Sequence, residues 1–166
     1  MNIKKILKIL SSVFIVLFII YLIYAFTLEE RVLLSIQIEN YVPIFAKLDE
    51  KDTHSGFRNE GELLKKIYFS ERQANNFIEQ VKKKDSWREL PMTERLSNKV
   101  CKYAMVDDMN IPEVDKGYWF ALDRHSETKD KYNEKDIFDE DRHSYNFTVA
   151  VFDTDKNILY VYELDT

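Results

Sequence analysis

A chain of 166 residues with one cysteine and a formal net charge of −5 is long enough to bury a core without staples, and it cannot close an internal disulfide. Its acidity argues against a generic nucleic-acid or anionic-lipid binder, which carries basic patches. All 29 acidic residues follow Leu28, whereas Lys4, Lys5 and Lys8 precede it, so the part beyond Leu28 carries about −8.

Ile9 to Leu28 holds no charge, and twenty helical residues reach about 30 Å, the thickness of a bilayer's hydrocarbon core. The sequence therefore predicts a cytoplasmic tip and transmembrane helix over residues 1–28, with the membrane as partner through Ile9 to Leu28. Tyr21 and Tyr24 fall towards the far end, where amphipathic rings suit the headgroup level. Lysines before the span and Glu29 and Glu30 after it keep the N-terminus cytoplasmic by the positive-inside rule, which puts the rest outside as a single-pass protein. A cleaved secretory signal is usually shorter and ends in small residues, unlike Ala25-Phe26-Thr27.

Residues 29–50 read two ways, since Val32, Leu33 and Ile36 could continue the membrane helix while Ile36-Gln37-Ile38-Glu39 alternates like a strand, and Pro43 interrupts either; they are expected to form a juxtamembrane stalk ahead of an extracytoplasmic domain over 51–166. Asp52 to Glu62 holds two of the chain's three glycines and reads as a loop, followed by a strand over Leu63 to Phe69. Ser70 and Gln73 make a capping-box pair, and Ala74, Phe77, Ile78 and Val81 lie on one helical face. A second helix is expected from Thr93, with Leu96, Val100, Tyr103 and Ala104 on one side. Lys82, Lys83 and Lys84 suit the solvated last turn of the first helix. Cys101 reads as a core thiol.

From Gly117 the apolar period changes to two, giving strands around Tyr118–Leu122, Phe147–Phe152 and Ile158–Glu163, the last two joined by a tight turn over Asp153–Asn157. The expected class is α+β: an N-terminal transmembrane helix, then an antiparallel sheet with two helices covering one face. Glu127 to Glu140 reads as a solvated loop. Trp119, Tyr160 and Tyr162 serve either the core or a contact surface.

One internal echo stands out: Asp123-Arg124-His125-Ser126 recurs as Asp141-Arg142-His143-Ser144. If the flanking strands pair antiparallel, both tetrapeptides come to the same end of the sheet. Imidazoles and guanidinium forks suit an anionic ligand or proton transfer, so Arg124, His125, Arg142 and His143, with His54 and Asp52, are the ligand-binding candidates. The bland alternative is that these side chains bond one another and fix two strand ends. Neighbouring Ser and His point to opposite faces of a strand, which disfavours a serine hydrolase. No catalytic residue, metal ligand set or cofactor is implied, since neither zinc-type spacing nor a phosphate-cradling glycine loop is present.

DTHSGFRNEGE at 52–62, ELPM at 89–92 and RHSYNFTVAVFDTDKNILYVYELDT at 142–166 resemble uncharacterised small exported or membrane-anchored proteins of Gram-positive bacteria. The resemblance implies a bacterial source and a single domain, and it transfers no catalytic residue. The functional expectation is a membrane-anchored extracytoplasmic binding or interaction module for an envelope protein or cell-wall component, with no nucleic acid as partner. The alternative is an extracytoplasmic hydrolase or metal-assisted enzyme using the His and Arg cluster.

Overall fold

The computed structural model describes residues 3–56, 60–102, 104–106, 108–125, 130–133, 137 and 143–166. Helix α1 covers Ile3–Gln37, about 52 Å of continuous helix. It is long and apolar enough to cross a membrane, and from Ile9 to Tyr24 its side chains are exposed, unlike those of a buried core helix. The helix runs on past the apolar stretch because Leu34 and Ile38 recur at helical spacing and are buried, together with Val42 and Ala46 from the following loop. The segment expected as a stalk thus supplies four core residues.

Six strands follow in a single sheet: β1 (Lys47–Asp52), β2 (Gly61–Tyr68), β3 (Trp87–Glu89), β4 (Gly117–Asp123), β5 (Asn146–Asp153) and β6 (Ile158–Asp165). The order is β1-β2-β6-β5-β4-β3 with every neighbour antiparallel. The predicted run β4-β5-β6 is present, and Asp153 Oδ1 shapes its last turn by accepting the N–H groups of Asp155 and Lys156 at 3.0 and 2.9 Å. The β4 entry requires Gly117: at φ 153° a Cβ there would lie 1.8 Å from the Phe152 carbonyl oxygen.

Helix α2 (Glu71–Val81) begins at the predicted Ser70/Gln73 capping box, and α3 (Glu94–Cys101) begins at Thr93 with Leu96 and Val100 buried. Tyr103 lies outside the described residues. The two helices do not share a face. α2 and the end of α1 pack Ala74, Phe77, Leu34 and Ile38 against Ile67, Phe120, Phe152 and Val161, whereas α3 packs Leu96 and Val100 against Phe147, Val149, Val151 and Tyr162. Both faces need cover because β5 and β6 are apolar at odd and even positions alike, the signature of a central strand. Trp119, Tyr160 and Tyr162 accordingly belong to the core, and Ile137, inside the expected solvated loop, is buried against it.

α1 crosses the strands steeply. Glu30 meets Lys65 of β2 at 3.1 Å, and Gln37 donates to the Thr148 hydroxyl of β5 at 2.9 Å. Seven helical residues advance about 10 Å, and β2 and β5 lie two strand spacings apart, also about 10 Å. The Ile38 carbonyl then accepts the Trp87 indole N–H at 3.0 Å near the opposite edge.

Candidate functional site

The register brings Asp52, Gly61, Asp165, Asn146 and Asp123 to one end of the sheet, where the candidates His54 and Arg124 also lie. The His54 ring faces a carboxylate at each nitrogen, Nδ1 at 2.7 Å from Asp52 and Nε2 at 3.2 Å from Asp165. Arg124 Nη2 reaches the same Asp165 at 2.9 Å and Glu163 at 3.5 Å, and it donates to the Phe147 carbonyl at 3.3 Å. His54 and Arg124 therefore converge through Asp165, an acceptor that sequence pattern did not single out.

Gly61 makes this approach feasible, because a Cβ on it would stand 2.5 Å from the His54 Cα. The backbone N–H of His54, 2.8 Å from Asp52 Oδ1, together with the ring, holds the Asp52 carboxyl below its usual range against the opposing effect of burial. His125 is half-buried and its backbone N–H donates to Asp123 at 3.0 Å. His143 is exposed on the approach to β5. Arg142 lies outside the described residues.

Chemically, the cluster is a clasp. Three carboxylates and two basic side chains engage one another across the ends of β1, β4 and β6, with a carboxylate of the cluster against each His54 nitrogen. Arg124 meets Asp165 and Glu163 through Nη2 alone, while its Nε is buried without a hydrogen-bond partner. Among the described residues no group of three or more His, Cys, Asp or Glu side chains could hold a metal ion. Burial pushes the Cys101 thiol up, away from the thiolate a nucleophile requires.

A second polar centre lies on the α3 face. Glu62, fully buried, accepts the backbone N–H groups of Met105 and Val106 at 2.7 and 3.0 Å and the Tyr162 hydroxyl. Burial, reinforced by the Glu62 acceptor, pushes the Tyr162 phenol up. Every oxygen of this carboxylate has a donor, so it fixes the chain after α3.

The opposite situation holds at the foot of the domain. A cavity of about 440 Å³ opens between α1, the loop after it and Lys84 at the end of α2. Its wall is largely apolar, with Leu28, Val32, Ile36, Val42 and Ile44, yet it contains Arg31 and Asn40, only 4% and 2% exposed. Arg31 Nη2 donates to the Ala46 carbonyl at 3.1 Å. Its Nε and Nη1, and both polar atoms of Asn40, have no hydrogen-bond partner. Glu39, which also lines the cavity, gives its oxygens to Ser86 and Tyr132. The sequence signal was available: Arg31 shares a helical face with Leu34 and Ile38, and a charge on a buried face asks for a partner.

No protein family, curated protein or solved structure matches this chain.

Proposed function

We propose that the protein is a membrane-anchored binding module, held as a single-pass protein with its N-terminus in the cytoplasm and its domain outside. The lysines ahead of Ile9 and the acidic residues after Leu28 support this orientation by the positive-inside rule. The observation that carries the binding role is the cavity at the foot of the domain, where buried hydrogen-bonding atoms of Arg31 and Asn40 remain unpaired. Native folds pair such atoms, and an apolar recess lined by two residues that keep unpaired polar atoms buried has the composition of a ligand site.

The same comparison disfavours the hydrolase alternative. Of the groups it would use, His54, His125, His143, Arg124 and Arg142, two are engaged within the cluster, His54 with Asp52 and Asp165 and Arg124 with Asp165 and Glu163, as expected of a structural clasp, and His143 is exposed on the approach to β5. An envelope protein or wall component is the class of ligand available to a domain so placed.

The full chain, immobilised in detergent, is tested for retention of a component from isolated membranes and wall fractions, beside Val32→Trp. Val32 is 46% exposed and lines the cavity, so the indole fills the recess without entering the core. Retention by the wild type and loss in Val32→Trp is the expected result. Equal retention by both, or by neither, refutes a binding role for the cavity.

A further inference from the structure

We propose that this cavity binds the phosphate-bearing headgroup of an anionic lipid taken from the leaflet that α1 has just crossed. The inference rests on the binding role above and names its ligand class.

The polar demand comes first. A guanidinium removed from water without a counter-ion is among the least favourable groups a fold can bury, and Arg31 presents two unpartnered nitrogens at 4% exposure. Phosphate oxygens are the acceptors that a guanidinium matches in charge and geometry. Lys84, on the cavity rim, supplies a second cation from a different element. Asn40 has both a donor and an acceptor buried and unpartnered, which suits an ester oxygen or hydroxyl beside the phosphate.

The apolar demand and the location select the lipid. Leu28 ends the uncharged run and also lines the cavity, so the recess begins where the bilayer ends. The Phe45 ring folds back to within 6.1 Å of the Tyr24 ring, and Tyr41 and Phe45 are exposed, at 54% and 80%. Aromatic rings at this level mark a headgroup boundary. Val32, Leu33 and Ile36 extend the exposed apolar surface along the helix, where the first methylenes of acyl chains can lie. A volume of about 440 Å³ falls within the range of small-ligand sites and admits a headgroup without its chains. The acidity of the domain is no obstacle, since selectivity comes from two placed cations rather than from a basic surface.

The full chain is reconstituted in nanodiscs of phosphatidylcholine alone or mixed with phosphatidylglycerol, extracted gently, and weighed by native mass spectrometry. Wild-type protein is expected to retain one phosphatidylglycerol. Arg31→Met should lower that retention by about tenfold or more, whereas Lys102→Met, which removes an equal charge at an exposed site, should leave it unchanged. Lys84→Met and Val32→Trp carry the same comparison if Arg31→Met fails to fold, as judged by circular dichroism. Equal retention of both lipids, or equal retention by wild type and variants, overturns the proposal and leaves ordered water as the occupant. Soluble glycerol phosphate is added as a competing arm; stabilisation of the protein by it to the same extent as by the lipid replaces the lipid with a free phosphate ester. Loss of envelope-component capture in Val32→Trp without any lipid retention overturns the lipid assignment alone and leaves the binding role standing.

Discussion

Removing residues 1–46 should unfold the domain, whereas removing only residues 1–28 should not. Leu34, Ile38 and Val42 are at most 3% exposed, and burying such side chains is worth about 1.5–3 kcal/mol each, so their loss costs about 5–9 kcal/mol. That approaches the entire stability of an ordinary domain, about 5–15 kcal/mol. The loss also strips the Trp87 indole of its acceptor on Ile38 and Lys65 of the Glu30 carboxylate, and it bares the Phe77 ring, whose centroid lies 4.7 Å from that of Phe152 and 5.4 Å from that of Trp87. Urea unfolding followed by tryptophan fluorescence distinguishes the fragments, with Trp87 as a reporter of the α1 contact. The 29–166 fragment should unfold cooperatively, and the 47–166 fragment should show no transition. An equal midpoint for both, with the same native emission, would refute the assignment of α1 to the core.

Glu62→Ala strands two backbone donors and the Tyr162 hydroxyl and should cost about 3–5 kcal/mol in calorimetry or urea unfolding, with a loss below about 1 kcal/mol contradicting the role of this carboxylate. Gly61→Ala should cost about 1–3 kcal/mol by crowding the His54 backbone, and nuclear magnetic resonance should show the His54 ring shifted; an unperturbed ring counts against the close approach. Asp52 should titrate below the 3.8 of an ordinary aspartate, so its contribution is present above that value and fades as pH falls through the lowered one. His54→Ala keeps the backbone donor and should return the midpoint only part of the way. Tyr132, pushed up to about 12 chiefly by its bond to Glu39, should resist forming tyrosinate until that pH. Its folded-state value exceeds the ordinary one, so the stabilisation holds below pH 10 and is lost as pH rises through about 12; Glu39→Gln should lower the midpoint measured by tyrosinate absorbance.

Elements with a cap, an apolar stripe or a dense apolar run were legible in the sequence. α2 and α3 carry caps and a helical stripe, and β4, β5 and β6 are marked by closely spaced apolar and aromatic residues between turn signals. β1 was not legible, because Lys-Leu-Asp-Glu-Lys-Asp lies on an edge exposed nearly throughout and has no buried face to leave an alternating pattern. Its charges suit an edge that must not recruit another strand. β3 is three residues long, too short for periodicity. The placement of α2 and α3 on opposite faces was encoded in the unbroken apolar runs of β5 and β6, which imply cover on both sides.

The candidate site was legible in part. His54, Asp52 and Arg124 do meet at one end of the sheet, yet the group that joins them is Asp165, whose position depends on β6 pairing with both β2 and β5. Arg31 and Asn40 escaped notice because the segment carrying them was expected to lie outside the domain, where a charged residue is unremarkable. Inside the domain the same arginine is a desolvated cation.

The orientation of the domain is the claim on which the binding role depends, and selective labelling measures it directly. In a Cys101→Ser background, Glu113→Cys places a thiol at a side chain 76% exposed, and intact bacterial cells producing the full chain are treated with a membrane-impermeant maleimide. Labelling in intact cells is the predicted result. Labelling only after the membrane is permeabilised would place the domain in the cytoplasm and contradict the account.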